Sequence, residues 1–207
     1  MVTTEAEVHA DQLQREGHDA HGNASPSRTI VDIGCGQNKV AGAIGVDCAP
    51  LPGVDVVHNL DTFPYPFAAD SIDEIHAYHV LEHVPDVMTT MEELWRISKP
   101  GATVYIRVPH FSGKFAWKDP THKRSFTSES FGYFGENGYS YYTRARFHVA
   151  SVELRYSMEP KNRWAGRVFA KLMQSLFDWH PTFCERHLAY LVGGVDEIIA
   201  TLKAIKP

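Results

Sequence analysis

Short apolar runs alternate with a stretch of helical pattern along the chain from Thr29 onward. The strand-like runs are TIVDIG, IGVD, VDVVHNL, IDEIHAYHV and ATVYIRVPH, and the helical stretch DVMTTMEELWRIS precedes the last of them. The sequence KPG at 99–101 is expected to end that helix and turn the chain into the next strand. Strands that alternate with helices in this way are typical of a parallel sheet, so the pattern predicts an α/β domain.

The pattern breaks after His110. Residues 111–147 have no sustained period, are rich in Phe, Tyr and Trp, and are too long for an ordinary connection. They form either a lid or a disordered insert, and the aromatic residues favour the lid. Strand-like HVASVELRY follows, then a helical stretch with an apolar face at 161–179, and finally VDEIIATLKAIK, which fits either a strand or a helix.

The chain divides into two parts of different character. Residues 1–28 are polar and acidic, and are predicted to be an N-terminal tail or a cap over the active site. Residues 29–207 are predicted to form one domain with 111–147 as a lid insert, because 207 residues of which 43% are hydrophobic suffice for one core.

The net charge and the cysteine content limit the classes of partner and the cellular location that can be expected. A net charge of −5 and a pI near 6.2 provide no basic face for a polyanion, so no nucleic-acid partner is predicted. The three cysteines have no metal spacing, no signal core opens the chain, and no apolar run approaches the about 18 residues of a membrane span. We expect a cytoplasmic protein without a membrane partner, either a monomer or a homodimer.

A glycine turn follows the first strand in IVDIGCGQNKVAGAIGVD. Gly34 and Gly36 let backbone N–H groups approach a ligand, but Lys39 stands where a dinucleotide fingerprint has its third glycine, and no Gly-Lys-Ser/Thr of an NTPase loop is present. Asp32 precedes the glycines, and Asp47 ends the second strand, where its carboxylate could accept ribose hydroxyls. The pair suits a ligand with an ammonium group and a ribose but no phosphates, although Asp32 could simply cap the turn.

The ordered motifs VDIGCG, IGVD, NLDTFPYPFAADSID, HVLEHV and ISKPGATVYIRVP resemble those of class I S-adenosylmethionine-dependent methyltransferases, in particular small bacterial members of the type 11-like group. The resemblance covers roughly residues 29–110 and implies a Rossmann-like fold, a seven-stranded mostly parallel sheet with helices on both faces, and S-adenosylmethionine as cofactor. The chain departs from the family pattern in its short stretch between Gly36 and Asp47, which predicts that the first helix is either clipped or replaced by a loop. The cofactor residues that the resemblance implies are Asp32, Gly34, Cys35 and Gly36 at the methionine portion, Asp47 at the ribose, Leu60 and Asp61 at the adenine, and His79 facing cofactor and acceptor.

HVLEHV spaces His79 and His83 four residues apart. On one helix this spacing could bind a metal, but the glutamate that follows the first histidine of a zinc protease motif is absent. The family resemblance instead implies that His79 ends a strand and that Glu82 and His83 begin a helix. His83 is then either structural or substrate-binding.

VPHFSGKFAWKDPTHKRSF is the second stretch with candidate chemistry. His110 or His122 could act as general base, with Asp119 and His79 as further catalytic candidates. In a metal form, His110, Asp119 and His122, with His148, would be ligands, while in a purely structural form Asp119 and His122 only tie the insert together. The general-base form is favoured, and no metal is predicted.

The insert also suggests what the acceptor is. Six Lys or Arg residues against three acids in 111–147 favour an anionic acceptor, and aromatic side chains could wall a pocket that excludes water. The predicted substrate-binding residues are His83, Phe111, Trp117, Arg124 and Tyr133.

The favoured function is methyl transfer to a small-molecule acceptor in biosynthesis, by in-line displacement with a histidine general base. Two enzyme alternatives stay open. One uses the same fold for aminocarboxypropyl transfer or intramolecular cyclisation, with methylthioadenosine as by-product, and the other is a metal-dependent member of the fold. A binding or regulatory protein is the third alternative, and the set Asp32, Gly34, Gly36 and Asp47 argues against it.

Overall fold

A computed structural model describes residues 28–156, 164–192 and 194–207. Its seven strands form one sheet in the order β3-β2-β1-β4-β5-β7-β6. Strands β1 to β5 are parallel to their neighbours among themselves, whereas β7 runs antiparallel to both β5 and β6. The predicted seven-stranded, mostly parallel sheet is confirmed. The strands are β1 Ile30–Ile33, β2 Ile44–Asp47, β3 Val56–Val57, β4 Ile72–Tyr78, β5 Ser98–Pro109, β6 Phe147–Tyr156 and β7 Val195–Ala204.

The helices of the described residues lie between the strands along the chain. They are α1 Val87–Ile97, α2 Phe115–Lys118, a 3₁₀ turn Ser130–Phe134, α3 Trp164–Trp179, α4 Pro181–Phe183, a π-helical turn Cys184–Leu188 and α5 Ala189–Val192. Helix α1 begins after Asp86, whose side chain accepts a hydrogen bond from the backbone N–H of Thr89 at 3.1 Å. None of these helices combines the length and hydropathy that crossing a membrane requires.

The core lies along the central strands. Many apolar side chains of β1, β4, β5 and β7 are fully buried, whereas the residues that alternate with them in most of β5 are only partly buried. The buried side chains include Val31, Ile33, Ile75, Ala77, Val104, Ile106, Val108, Ile198, Ala200 and Leu202.

Some local elements differ from the sequence-based predictions, and others decide between alternatives that the sequence left open. Glu82 and His83 lie in a turn, and α1 begins only at Val87, because Pro85 follows them and Asp86 provides the helix cap. The undecided last segment is strand β7. No helix lies between Gly36 and Asp47, so of the two alternatives predicted from this short stretch, a clipped helix or a loop, the structure has the loop. The predicted N-terminal cap falls almost wholly on residues 1–27, outside the described residues.

The sheet order determines where the site is. Strands β1 and β4 are neighbours, and the chain order of the strands reverses between them. Ligands of open α/β sheets bind beyond the carboxyl ends of the strands at such a reversal. The glycine turn follows β1 there, and His79 follows β4.

Candidate active site

The glycine turn after β1 is held in a form that needs glycine. Gly34 has φ of +68°, and its N–H donates to the carbonyl of Val46 at 2.7 Å. A Cβ on Gly34 would lie 2.4 Å from Cγ2 of Val80, so the turn packs directly on the segment after β4. Gly36 has φ of +51°, and its N–H donates to Oδ2 of Asp47 at 3.0 Å.

The two acids of this region have different surroundings. Asp47 accepts from Gly36 and, through Oδ1, from the N–H of Ala49 at 3.0 Å, which leaves lone pairs on both oxygens for a ligand. Asp32 is buried and accepts from the N–H of Val40 at 2.8 Å. Burial raises the pKa of Asp32, against that hydrogen bond, which lowers it. Asp32 therefore holds the loop that follows the turn, the capping role considered from the sequence.

A cavity of 290 Å³ opens beside the turn. Of the predicted cofactor residues, Gly34, Asp47, Leu60, Asp61 and His79 line it, while Asp32, Cys35 and Gly36 do not. The other lining residues are Cys48, Asn59, Val80, His83 and Val84.

This lining fits the expected cofactor chemically. Two carboxylates can accept ribose hydroxyls or face a cationic group, and apolar side chains can cover an adenine ring. The close approach of the turn at Gly34 brings the backbone to the edge of the same cavity.

A second cavity of 320 Å³ adjoins the first, because His79 and His83 line both. The remaining lining residues are Glu82, Pro109, Phe115, Lys118, Asp119, His122 and Asp196. The predicted candidates His79, His83, Asp119 and His122 are thus brought to one place by the end of β4 and the first part of the insert.

His79 is a cation rather than a base. Its Nε2 lies 2.9 Å from Oε1 of Glu197, and its Nδ1 lies 3.4 Å from Oε1 of Glu82. The contacts of its ring with the carboxylates of Glu197 and then Glu82 outweigh desolvation and raise the pKa of His79 to about 9. At neutral pH its predicted catalytic role cannot be proton removal, because both ring nitrogens are protonated.

His110 lies away from both cavities. Its side chain is fully buried, with Nδ1 2.8 Å from Oγ of Ser112 and Nε2 2.9 Å from Oε1 of Glu185. Glu185 also accepts from the backbone N–H and the hydroxyl of Ser128. Both nitrogens of His110 are engaged within the protein, so it does not fit the base predicted from the sequence.

Four predicted substrate residues do not line the two cavities. The Arg124 guanidinium donates to the carbonyls of Val84 and Pro85 at 2.7 and 2.8 Å and so clamps the insert to the turn after β4. Trp117 is 71% exposed, and its indole N–H donates to the carbonyl of Phe111. Phe111 lines a separate cavity of 260 Å³, and Tyr133 is half-exposed against Tyr139.

The ligands of the metal form are not brought together as the sequence suggested. His148 is exposed and lies 2.8 Å from Glu136, and His110 is engaged by Glu185. Within the described residues, the group with metal-binding geometry is instead Glu82, His83 and His122.

Sequence reasoning missed two buried acids. Glu197 is fully buried in β7, where it accepts from His79 and from the guanidinium of Arg107. Glu82 is also buried, and it lines the second cavity. The signal for Glu197 was an acid inside an apolar strand pattern, VDEII, and for Glu82 it was an acid between two histidines in HVLEHV.

A family model described as a methyltransferase domain matches residues 6–176. Two curated relatives, both called uncharacterized methyltransferase, come from Mycobacterium avium (strain 104) and Mycolicibacterium paratuberculosis (strain ATCC BAA-968 / K-10). Each is 30% identical over 123 residues, which are 51% of this chain and 47% of the relative. The match thus spans about half the length of these relatives.

Solved structures share the fold. A chain in the complex between the Haloferax volcanii Trm112 methyltransferase activator and the putative methyltransferase has a TM-score of 0.56, with 18% identity over 96% of this chain and 89% of that one. A SAM-dependent methyltransferase from Archaeoglobus fulgidus has a TM-score of 0.57, with 15% identity over 96% and 92%. The [4+2]-cyclase SpnF has 0.52, with 14% identity over 89% and 78%. The predicted Rossmann-like fold is confirmed, and the cyclase illustrates that this fold also serves a different reaction.

Proposed function

Since the chain belongs to the class I S-adenosylmethionine-dependent methyltransferase family, whose domain model covers residues 6–176, we propose that it transfers a methyl group to a small-molecule acceptor. The observation that carries this proposal is the junction of two cavities at His79 and His83. One cavity has a lining that suits the cofactor, and the other, of a similar size, is lined by several ionisable side chains. Both volumes lie near the lower end, about 300 Å³, of small-molecule sites.

The cofactor half of the proposal uses the residues of the first cavity. Asp47 would accept the ribose hydroxyls, Leu60 and Asp61 would contact the adenine, and Gly34 would let the methionine portion approach the backbone. When bound, S-adenosylmethionine supplies an electrophilic methyl group, and the products are the methylated acceptor and S-adenosylhomocysteine.

The acceptor half uses the second cavity. The chain contributes mainly by holding the acceptor next to the first cavity and excluding water, which can account for a large part of a rate enhancement. An acceptor hydroxyl or amine must also lose its proton. His122 is the predicted base that stays a candidate, because it lines this cavity and its Nδ1 donates to the carbonyl of Ala116 at 3.0 Å. In the neutral ring Nε2 then has a lone pair.

The acceptor is proposed to carry an anionic group. Lys118 and His79, which the pKa of about 9 keeps positively charged, both line the second cavity. An anionic group would have to lie on the side of these two cations, because the cavity is also lined by the carboxylates of Glu82, Asp119 and Asp196. A carboxylate of a substrate could pair with these cations while its hydroxyl faces His122.

The test is an incubation with methyl-labelled S-adenosylmethionine and a panel of aromatic and aliphatic hydroxy acids, each alongside its methyl ester. We expect S-adenosylhomocysteine in equal amount to a labelled product, and preference for the free acid. Formation of methylthioadenosine would favour aminocarboxypropyl transfer or cyclisation instead. An absence of S-adenosylmethionine binding in calorimetry would overturn the proposal altogether.

A further inference from the structure

The turn after β4 and the start of the insert bring three ligating side chains together. One oxygen of Glu82, one ring nitrogen of His83 and one ring nitrogen of His122 all lie within 4.8 Å of one another. The two rings meet edge to face with centroids 4.7 Å apart. All three residues line the second cavity, and His83 also lines the first.

Glu82 has a buried carboxylate that lacks hydrogen-bond donors, and a bound cation could take their place. Its side chain is 1% exposed, and neither carboxylate oxygen has a hydrogen-bond partner. The closest ion-pair atom is Nδ1 of His79 at 3.4 Å, beyond a good charge-assisted hydrogen bond. Burying a carboxylate without hydrogen bonds costs free energy, and a bound cation would offset that cost. Because neither oxygen accepts a hydrogen bond, both can act as ligands.

The hydrogen bonds of His122 leave one ring nitrogen for a ligand. Its Nδ1 lies 3.0 Å from the carbonyl oxygen of Ala116, and a carbonyl only accepts. Nδ1 therefore carries the proton, and Nε2 has the lone pair in the neutral ring.

His83 has the same tautomer, with the proton on Nδ1, because of a chain of two hydrogen bonds. Its Nδ1 lies 2.9 Å from the hydroxyl oxygen of Thr121, which donates its single hydrogen to Asp119 at 2.7 Å. The hydroxyl must then accept from Nδ1, so Nε2 of His83 also has a lone pair. Metal-binding histidines usually donate their other N–H to a carbonyl, a carboxylate or a similar fixed acceptor, as both of these do.

The two segments are locked to each other. The backbone N–H of Lys123 donates to the carbonyl of Glu82 at 2.8 Å, and Arg124 clamps the carbonyls of Val84 and Pro85. The positions of the three groups are therefore set before any ion arrives, which reduces the entropy that binding must overcome.

The geometry points to a site for one divalent transition-metal ion, ligated by Glu82, His83 and His122. Two imidazoles and one carboxylate suit zinc and non-haem iron and related ions, and three protein ligands leave coordination positions for a substrate. This inference deepens the proposed function and rests on it only for the role of the ion. An ion there would hold an acceptor oxygen and lower the pKa of its hydroxyl, so His122 would be a ligand in the loaded protein and a base only in the metal-free one.

Metal binding is tested without any turnover. Chelator-treated full-length protein is titrated with Co²⁺ while visible absorption is recorded, followed by competition with Zn²⁺ and elemental analysis after desalting. We expect one ion per chain, with absorption bands of a nitrogen and oxygen ligand set, and a melting temperature that rises with the ion.

The variants are chosen to keep the local hydrogen bonds. Glu82→Gln removes the charge at nearly constant shape, and His122→Asn keeps a donor in place of Nδ1 while removing Nε2. Each is expected to weaken Co²⁺ binding at least tenfold, and Thr121→Val, which removes the acceptor of His83, to weaken it about 10- to 100-fold. His148→Ala is the matched control, because His148 is exposed and lines neither cavity.

Two results would overturn the inference: no bound ion in the wild type, or equal binding in the wild type, Glu82→Gln and His122→Asn. Circular dichroism of each variant excludes loss of the fold as the cause. S-adenosylmethionine binding is measured in parallel. A protein that binds the cofactor and methylates acceptors but binds no ion refutes the metal site alone, whereas one that binds the ion but not the cofactor refutes the proposed function alone.

Discussion

Two histidines at strand ends of this protein differ in chemistry because of their neighbours. His79 lies between two carboxylates, which raise its pKa to about 9, so it contributes positive charge to both cavities. His110 is enclosed by Ser112 and Glu185 and connects parts of the fold. Histidines in similar strand-end positions thus have different roles: His79 is a charged residue that lines the cavities, and His110 is a buried residue that links segments of the fold by hydrogen bonds.

A prediction at this scale concerns Gly34. Alanine there would add strain of about 1–2 kcal/mol in the left-handed region and a clash with Val80. Denaturant unfolding of Gly34→Ala should therefore show a larger loss than Gly36→Ala, where the space around the added Cβ is open. In a Val80→Ala background the cost of Gly34→Ala should fall. An equal cost in both backgrounds would contradict the clash as its cause.

At the scale of elements, one buried carboxylate, Glu185, joins segments that are far apart along the chain. Glu185, in the π-helical turn Cys184–Leu188, receives hydrogen bonds from His110 at the end of β5 and from Ser128 of the insert. Burial alone would raise the pKa of Glu185, but these hydrogen bonds outweigh it and hold the pKa below the usual value. One carboxylate thus ties three segments together.

This pKa shift predicts how stability depends on pH. Because the folded-state pKa is lowered, the stabilisation is fully present above the unfolded value of about 4.3 and is lost as the pH falls through the folded value. At pH 7, Glu185→Gln should lower the free energy of unfolding by about 1–3 kcal/mol. Urea unfolding of both proteins between pH 7 and pH 3.5 measures this, and a difference that stays constant over the range would refute it.

At the scale of the whole molecule, the sheet order creates the site. The reversal of strand order between β1 and β4 leaves a crevice between the glycine turn and His79, and both cavities open there. The insert closes the second cavity from one side with Phe115, Lys118, Asp119 and His122. Cofactor and acceptor are proposed to meet where these two halves of the molecule join.

Cofactor binding should stabilise the whole fold. A ligand that binds only the native state at 100 times its Kd adds about 2.7 kcal/mol, which is roughly 5–11 °C in Tm for a domain of this size. Asp47→Asn should bind S-adenosylmethionine about tenfold or more weakly, because a hydrogen bond to a charged group is lost, and so gain less at the same concentration. Glu136→Ala, an exposed site away from both cavities, is the control. A gain in Tm that is unchanged in Asp47→Asn would count against the ribose contact.

The local pattern of the sequence determined the strands from β1 to β5, helix α1 and the glycine turn, because burial periodicity and glycine conformation are properties of neighbouring residues. It left β7 undecided, since the first four residues of this strand, which lies between β5 and β6, are all buried, and buried and more exposed positions alternate only after them. Only the tertiary structure placed His110 away from both cavities and His122 at the second one, and brought Glu82 to His83 and His122. Those outcomes depend on contacts between residues some 40 to 75 positions apart, such as His83 with His122 and His110 with Glu185, which no local pattern records.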